Sequence, residues 1–242
     1  MGERETNYLS AEAEAALKCV STATLTSQLL KRGFRNTFLG GLMPVRPELR
    51  MVGYAFTMRY IPMREDLDLV PEDNFTNLQR VAVESVGPKD VLVIDARGDL
   101  DAGTLGNILA TRMQVRGAAG IVSDGGMRDA FEFADIELAT YIGGVHAGRR
   151  GTRHHPADLN VPIGCAGVLV MPGDVMVGDP DGVVAIPRHV AEEVAHDALE
   201  QELLEAYLLK LIQGGSSIHG VYPPDEATLN AYRQAARNVS SS

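Results

Sequence analysis

The stretch VLVIDARGDLDAGTLGNILATRMQVRGAAGIVSD, residues 91–124, places two short apolar runs on either side of an amphipathic segment. The runs VLVID at 91–95 and GIVSD at 120–124 are compact and apolar, which predicts buried strands. Residues 107–116 carry apolar side chains at helical spacing, which predicts a helix between them. A strand, a helix and a strand in this order predict a right-handed βαβ unit with parallel strands. The sequence therefore indicates an α/β protein.

The segments around this unit predict a single domain over residues 1–242. Its core covers about residues 21–212, between a helical extension at 1–20 and a tail at 213–242. Apolar periodicity, glycine and proline predict helices at 10–18, 22–32, 76–86, 188–212 and 225–237, and strands at 51–61, 168–171, 175–177 and 183–186. Turn sequences separate the last three strands, which indicates a β-meander.

The charge and the composition exclude several classes of function. The chain has a formal net charge of −10 and no long run of lysine and arginine, which argues against binding to nucleic acid or to anionic membranes. Its two cysteines, Cys19 and Cys165, are too few for a disulfide framework and are interpreted as reduced thiols. Residues 1–18 lack the apolar core of a signal peptide, and no apolar run is long enough to span a membrane. We therefore expect a cytoplasmic protein.

Residues 124–129, DGGMRD, follow the second strand of the βαβ unit and carry the main candidate site. Ligands of α/β proteins bind beyond the carboxyl ends of the strands. Arg128 offers a planar fork for a carboxylate, and Asp129 and Glu132 offer hard oxygen ligands for a divalent cation. An Arg-Asp pair beside a glycine-rich turn is also typical of a solvated loop. The helix start on the preceding βα unit favours a site.

That helix start offers backbone donors to an anion. Gly106 precedes the predicted helix, and the first N–H groups, of Asn107, Ile108 and Leu109, have no partner within the helix. They lie at the positive end of the helix dipole, where a carboxylate is favoured. Every helix has such an end, so this feature gains weight only beside Arg128.

A basic loop follows further along the chain, with Arg149, Arg150, Arg153, His154 and His155. It is interpreted either as a solvated loop or as the site of the second carboxylate of a diacid. Adjacent histidines do not share a helical face, so a zinc site of the i, i+4 type is not indicated. The sequence contains no P-loop, no dinucleotide fingerprint after a strand and no G-x-S-x-G nucleophile elbow.

Three motifs in order and spacing resemble one family. GNILAT at 106–111, RG at 116–117 and SDGGMRD at 123–129 are similar to motifs of the 4-hydroxy-4-methyl-2-oxoglutarate aldolases and the related regulators of ribonuclease activity A. The resemblance extends over most of the chain. It implies a swivelling β/β/α fold with a long C-terminal helix, in a homotrimer or homohexamer with active sites between subunits. It also implies class II pyruvate aldolase chemistry with Mg²⁺ or Mn²⁺.

The resemblance also implies roles for individual residues. The family site follows the pattern D-x20-R-D-x2-E/D, and the matching positions here are Asn107, Arg128, Asp129 and Glu132. It implies that Asp129 binds the metal, that Glu132 holds metal-bound water, and that Arg128 binds the pyruvyl group together with the backbone at 106–109. A glutamate of the neighbouring subunit's C-terminal helix also belongs to the site. Glu202 and Glu205 are the candidates, and we predict a catalytic role for Glu205.

Asn107 departs from the pattern, because the aldolases have an acid at this position. An amide can orient a water molecule but cannot relay a proton at neutral pH. We therefore expect a metal-dependent lyase on a pyruvate-type 2-keto acid, by retro-aldol cleavage of a 4-hydroxy-2-oxo acid, by oxaloacetate decarboxylation, or by both. The alternatives are a dehydratase of a 2-keto-3-deoxy sugar acid, a noncatalytic regulator that binds ribonuclease E, and a structural oligomer with a vestigial site. The presence of Asp129 favours an enzyme over the regulator.

Overall fold

The structure, a computed structural model, describes residues 8–68 and 73–239. Its α-helices are α1 Ala11–Cys19, α2 Thr22–Lys31, α3 Leu78–Ser85, α4 Asn107–Val115, α5 Ala191–Gln213 and α6 Glu226–Val239. Its strands are β1 Phe38–Leu39, β2 Met43–Pro44, β3 Met51–Pro62, β4 Asp90–Asp95, β5 Gly120–Met127, β6 Ala139–Val145, β7 His154–Leu159, β8 Ile163–Cys165, β9 Val168–Val170, β10 Val175–Asp179 and β11 Gly182–Ile186. Short 3₁₀ helices lie at Glu132–Asp135, Arg150–Thr152 and Arg188–Val190. The predicted α/β class and the long C-terminal helix are confirmed.

The main sheet has the strand order β1-β11-β10-β3-β4-β5-β6-β2, and β7 pairs with the second half of β3. Strands β3, β4, β5 and β6 are parallel to one another. The predicted βαβ unit is therefore present as β4, α4 and β5. Its parallel strands end at one edge of the sheet, and α4 begins there.

Three buried clusters hold the helices and the hairpin against the sheet. On one face, α3 and α4 contribute Val83 and Met113 to a cluster with Leu92 and Ile94 of β4. On the other face, the β8–β9 hairpin packs on the alternate side chains of β4, including Val91 and Val93. In the third cluster, α1, α2 and α5 pack against the β10–β11 hairpin. Because the middle of β4 is buried on both faces, its residues 91–94 are all apolar.

Two predictions about the strands are wrong. Strand β5 continues to Met127, three residues beyond the predicted end, with an irregular register between Ser123 and Gly126. The predicted meander is two separate hairpins, because β9 pairs with β8 while β10 pairs with β11 and β3. Ala166 and Gly167 have φ values of 48° and 76° and close the β8–β9 hairpin. Two residues with positive φ give the backbone twist that a tight hairpin needs.

The N-terminal helix α1 packs along α5. The N–H and the hydroxyl of Ser10 donate to the carboxylate of Glu192 at 2.7 and 2.9 Å. The N–H of Leu9 donates to the Tyr54 hydroxyl at 2.8 Å. Within residues 8–68 and 73–239, no helix is long and apolar enough to cross a membrane.

Candidate functional site

A cavity of about 460 Å³ opens beside the first turn of α4, within the range of roughly 300–1,000 Å³ typical of small-molecule sites. Its wall includes the start of α4, at Gly106, Asn107, Ile108 and Leu109. It also includes four arginines, Arg80, Arg128, Arg149 and Arg150, and the carboxylate of Asp129. The cavity thus joins the predicted helix start to the predicted Arg-Asp pair.

Residues 103–106 form a backbone spine along this cavity. The N–H of Gly103 donates to the carbonyl oxygen of Gly148 at 2.9 Å, and the N–H of Thr104 donates to that of Gly126 at 2.7 Å. The N–H of Arg128 donates to the carbonyl oxygen of Leu105 at 2.9 Å. These bonds fix the spine between the end of β5 and the residues before Arg149. The start of α4 is therefore held in register with Arg128.

The side chain of Arg128 lies directly on Gly103. A β-carbon built on Gly103 would overlap Cγ of Arg128 and would lie 3.0 Å from its Cδ. The Nε atom of Arg128 is buried and has no hydrogen-bond partner in the described part of the chain. A buried donor without an acceptor costs about 1–3 kcal/mol. The Arg128 side chain as a whole is 36% exposed and lines the cavity, so it can still turn a donor towards an anionic ligand there.

Asp129 presents its carboxylate beside the start of α4. Its Oδ2 would lie 2.5 Å from a β-carbon on Gly106, and its Oδ1 is 3.6 Å from Nη2 of Arg128. The φ of Asp129 is 59°, in the left-handed region that few residues other than glycine adopt. Such backbone strain is often found where a side chain is held for function.

Asn107 is the first residue of α4, and its side chain bonds locally. Its Oδ1 accepts from the N–H of Ile108 at 2.7 Å. The first backbone bond of the helix is from the N–H of Ala110 to the carbonyl oxygen of Gly106 at 3.2 Å. The N–H of Ile108, predicted as a substrate donor, is therefore engaged by Asn107, so a ligand there must displace or share this bond.

Glu132 opens the 3₁₀ helix after Asp129, and its backbone N–H donates to the Asp129 carbonyl oxygen at 3.1 Å. Its side chain is exposed and does not line the cavity. The role predicted for Glu132 therefore stays a prediction.

Glu202 and Glu205 lie on α5 beside a second cavity, of about 480 Å³. Glu202 accepts from the N–H and hydroxyl of Ser21 at 2.9 and 2.7 Å. Its partial burial opposes ionisation, yet the hydrogen bonds from Ser21 and Thr24 lower its pKa below the usual value. Glu205 accepts from Nε2 of Gln201 at 2.8 Å. Glu202 thus anchors the start of α2, and the role predicted for Glu205 at a neighbouring subunit stays a prediction.

The basic loop divides between the cavity and structural contacts. Arg149 and Arg150 line the cavity, as the diacid interpretation requires. Arg153 pairs with Asp99 at 3.0 Å instead. His154 and His155 do not line the cavity. His154 stacks on the Tyr60 ring, and its burial lowers its pKa. Nδ1 of His155 lies 2.7 Å from Oδ1 of Asp68.

Asp124, the first residue of the DGGMRD motif, is a structural anchor. It is buried, and its oxygens accept from the N–H groups of Ala96, Gly98 and Ala166 at 2.6, 3.1 and 3.2 Å. Burial raises the pKa of its carboxyl. Asp124 therefore joins the loop after β4 to the β8–β9 hairpin and does not face the cavity.

Gln79 and Arg80 also line the cavity, although the sequence predicted only helix at these positions. Gln79 is 3% exposed, and its Nε2 donates to the Thr104 carbonyl oxygen at 2.6 Å. Its Oε1 accepts from Nη1 of Arg80 at 3.1 Å and from Nε of Arg150 at 3.0 Å. An available signal was a polar Gln-Arg pair in the first turn of a helix, next to the Asn77 cap.

The donor set of the cavity fits a hard divalent cation. Asp129 supplies a carboxylate and Asn107 an amide oxygen, and Mg²⁺ usually keeps several waters beside one or two carboxylates. In the described part of the chain, the one group of three potential ligands with atoms within 4.8 Å of each other is His196, Asp197 and Glu200. This group lies on the outer face of α5, where Asp197 pairs with Arg32.

Comparisons with known proteins identify the family of this fold. The family model described as RraA-like, Aldolase/RraA, matches residues 22–185. A protein of Halalkalibacterium halodurans named putative 4-hydroxy-4-methyl-2-oxoglutarate aldolase is 34% identical over 130 residues, which are 54% of this chain and 60% of that protein. The 4-hydroxy-4-methyl-2-oxoglutarate aldolase of Thermus thermophilus is 30% identical over 155 residues, which are 64% of this chain and 93% of that protein.

A solved structure gives the same fold. RraAS2 of Streptomyces coelicolor, described as an unusual member of the RNase ES inhibitor RraA protein family, is 32% identical with a TM-score of 0.73. The likeness covers 81% of this chain and 95% of that chain. The chain spans 60% of the Halalkalibacterium relative and 29% of the Legionella pneumophila protein DlpA. The names of these relatives thus include aldolases and a ribonuclease inhibitor family.

Proposed function

The chain belongs to the RraA-like family, Aldolase/RraA, and from this premise we propose that it is a divalent-metal-dependent lyase acting on a pyruvate-type 2-keto acid. The observation that carries the proposal is the buried, unpartnered Nε of Arg128 in a cavity that also holds the carboxylate of Asp129. A 2-keto acid carries both an anion for a guanidinium and a pair of oxygens for a cation. The relatives named as aldolases support the carbon–carbon lyase class.

In this proposal, Arg128 binds the pyruvyl end of the substrate. A guanidinium can donate two parallel hydrogen bonds to a carboxylate, which fixes the orientation of the bound acid. When the C3–C4 bond of the acid breaks, its electron pair stays on C3, and negative charge develops on the C2 keto oxygen as an enolate. A preorganised cation stabilises that charge more in the transition state than in the ground state. The support of Arg128 by Gly103 keeps the guanidinium in place for this task.

Asp129 holds the cation in this proposal, with Asn107 as an oxygen donor to it or to its water. Bound Mg²⁺ or Mn²⁺ would polarise the keto group as a Lewis acid. In this proposal, Glu132 of the same subunit holds metal-bound water, and Glu205 of a neighbouring subunit completes the site, in a homotrimer or homohexamer with active sites between subunits. We also place the protein in the cytoplasm.

The proposed bond cleavage depends on Asn107. Retro-aldol cleavage requires removal of the proton from the 4-hydroxyl group, and an amide does not accept that proton. Decarboxylation of oxaloacetate releases carbon dioxide without such a base. The residues of this chain therefore favour decarboxylation over retro-aldol cleavage.

Pyruvate release tests the proposal. The purified chain is incubated with oxaloacetate or with 4-hydroxy-2-oxoglutarate and Mn²⁺, with and without EDTA, beside a protein-free blank that corrects for spontaneous decarboxylation. We expect the chain to release pyruvate faster than the blank and EDTA to abolish this difference. Arg128→Gln should also abolish it. Equal release with and without EDTA, or none from either acid, would contradict the proposal.

Two other functions have distinct outcomes in the same tests. A dehydratase would consume a 2-keto-3-deoxy sugar acid and release no pyruvate. A noncatalytic regulator would bind ribonuclease E, and the Streptomyces relative of the RNase ES inhibitor family is the observation that keeps this candidate open. Ribonuclease capture that persists in Asp129→Ala, in a chain with no activity on keto acids, would establish the regulator.

A further inference from the structure

The cavity has more wall than a pyruvyl group can contact. Arg128 and Asp129 occupy one part of it, and Gln79, Arg80, Arg149 and Arg150 form another. The proposed function leaves this second part unused. Its residues come from α3 and from the loop before β7, which are separate elements that the fold brings to one cavity.

Both polar atoms of the Gln79 amide, Nε2 and Oε1, form hydrogen bonds. Its Nε2 donates to Thr104 on the spine, and its Oε1 accepts from Arg80 and Arg150. The two guanidinium groups can only donate and the carbonyl oxygen can only accept, so a flipped amide would lose all three bonds. Gln79 therefore fixes the direction of Arg80 relative to residues 103–106.

Two of these arginines have no carboxylate partner in the part of the chain that the structure describes. Within residues 8–68 and 73–239, neither Arg80 nor Arg149 forms an ion pair. Arginines outside the cavity, such as Arg46 and Arg112, pair with carboxylates at 2.6–2.8 Å. In a chain with a net charge of −10, two arginines on one cavity wall without a carboxylate partner among the described residues favour a local positive potential.

We propose that Arg80 and Arg149 form a second anion subsite, oriented by Gln79, which binds a carboxylate or phosphate at the distal end of the keto-acid substrate. This inference rests on the proposed function, since the pyruvyl end binds at Arg128. The spine connects the two ends, because Gly103 bridges to the backbone of Arg149 and Thr104 accepts from Gln79. A substrate with an anion at each end thus contacts both subsites at once.

Arg80 is the specificity-determining residue of this subsite, and Gln79 is its positioning residue. Hydrogen bonds between charged partners contribute roughly 1.5–3 kcal/mol each, which corresponds to a change in affinity of about tenfold or more. Removing the Arg80 guanidinium therefore weakens binding of ligands with a distal anion and leaves ligands with an apolar distal end unchanged.

Calorimetric titration of the full chain with Mn²⁺ tests the subsite without reference to turnover. The probes are pyruvate, 2-oxoglutarate, and 2-oxopentanoate, which has the same number of carbons as 2-oxoglutarate and no distal carboxylate. We expect 2-oxoglutarate to bind at least about tenfold more tightly than 2-oxopentanoate. Arg80→Gln is expected to abolish this preference while the dissociation constant of 2-oxopentanoate stays within twofold, roughly the error of such a comparison.

Gln79→Leu is expected to reduce the same preference with 2-oxopentanoate unaffected. If Gln79 had only a structural role, Gln79→Leu would weaken the binding of both ligands alike, which would contradict its assignment as a positioning residue. Arg112→Gln is the matched control, because Arg112 lies on α4 outside the cavity and pairs with Glu84. Thermal melting confirms folding, and if Gln79→Leu does not fold, Arg80→Gln decides the test alone.

The outcomes separate this inference from the proposed function. Equal binding of pyruvate, 2-oxopentanoate and 2-oxoglutarate overturns the subsite and leaves the keto-acid lyase standing. Failure of all three to bind overturns both. A further titration with 2-keto-3-deoxy-6-phosphogluconate identifies the anion. If this acid binds more tightly than 2-oxoglutarate and Arg80→Gln removes the difference, the subsite takes a phosphate. If it binds more weakly, the subsite takes a carboxylate.

Discussion

The side chain of Arg128 lies so close to Gly103 that a β-carbon on Gly103 would overlap Cγ of Arg128. Cγ is near the backbone and has little freedom to move away. The observed position of the Arg128 side chain therefore requires a glycine at position 103.

Gly103→Ala is expected to lower pyruvate release by about a hundredfold, because a displacement of a binding group by about 1 Å has an effect of that order. Thermal melting should show a folded protein. The matched control is Gly164→Ala, since a β-carbon at Gly164 meets no atom within 4 Å. If the two variants retained equal activity, Arg128 would not require the glycine.

Asp129→Asn is expected to weaken Mn²⁺ binding by at least about tenfold, because a neutral amide replaces the carboxylate among the hard ligands of the cation. Electron paramagnetic resonance of free Mn²⁺ measures the dissociation constant. The control is Glu200→Gln in the His196, Asp197 and Glu200 group on α5. If Glu200→Gln weakened Mn²⁺ binding and Asp129→Asn left it unchanged, the cation would bind at the outer face of α5 and not in the cavity.

Asn107→Asp is expected to raise retro-aldol cleavage relative to decarboxylation by about tenfold or more, since general-base catalysis contributes roughly 10²–10⁴-fold. The carboxylate would also be favoured at the first turn of α4 by the helix dipole. The measurement is the ratio of pyruvate released from 4-hydroxy-2-oxoglutarate to that from oxaloacetate. A ratio equal to that of the unmodified chain would show that position 107 does not select the bond.

Glu202→Gln is expected to lower the free energy of unfolding by about 1 kcal/mol at pH 7, since its bonds to Ser21 involve a charged acceptor and are only partly buried. The pKa of Glu202 is lowered in the folded chain. Its contribution is therefore complete above its ordinary pKa of 4.5 and is lost as the pH falls through the folded value. Urea denaturation at pH 7 and at pH 3 measures the difference.

The stability loss in Glu202→Gln should thus shrink in acid, and a loss of equal size at both pH values would exclude the proton linkage. Glu205→Gln is the control on the same helix. Its carboxylate bonds to Gln201 and not to the start of α2, so stability should change little. A loss of activity in Glu205→Gln with stability intact would support its predicted role at a neighbouring subunit.

The sequence predicted the βαβ unit because its signals are local. The runs at 91–95 and 120–124 are apolar, and α4 repeats apolar residues at helical spacing. The full length of β5 was missed because Gly125 and Gly126 interrupt the apolar pattern. A β-carbon on Gly125 would lie 2.6 Å from Cβ of Ala96, so close packing and not side-chain burial places these glycines in the strand.

The site was predictable in part for the same reason. Arg128, Asp129 and the start of α4 are linked by strand and helix ends that the sequence reveals. The hydrogen bond between Gln79 and Thr104 joins residues 25 positions apart. Arg80 lines the cavity only because of where α3 packs. The Gln-Arg pair in the first turn of α3 is a local signal for polar residues, but no local pattern encodes which distant residues they contact. The left-handed backbone at Ala166, which defines the β8–β9 hairpin, is equally invisible in its residue type.

The backbone spine at 103–106 has a consequence for redesign of the protein. The carbonyl oxygen of Thr104 accepts from Gln79 and that of Leu105 accepts from the N–H of Arg128, so adjacent peptide groups connect the residues of the two proposed anion subsites. The main chain therefore fixes where the two subsites are attached. Side-chain exchange can alter which groups are recognised at either end, whereas acceptance of a longer or shorter diacid calls for insertion or deletion of residues in the loop that leads into α4.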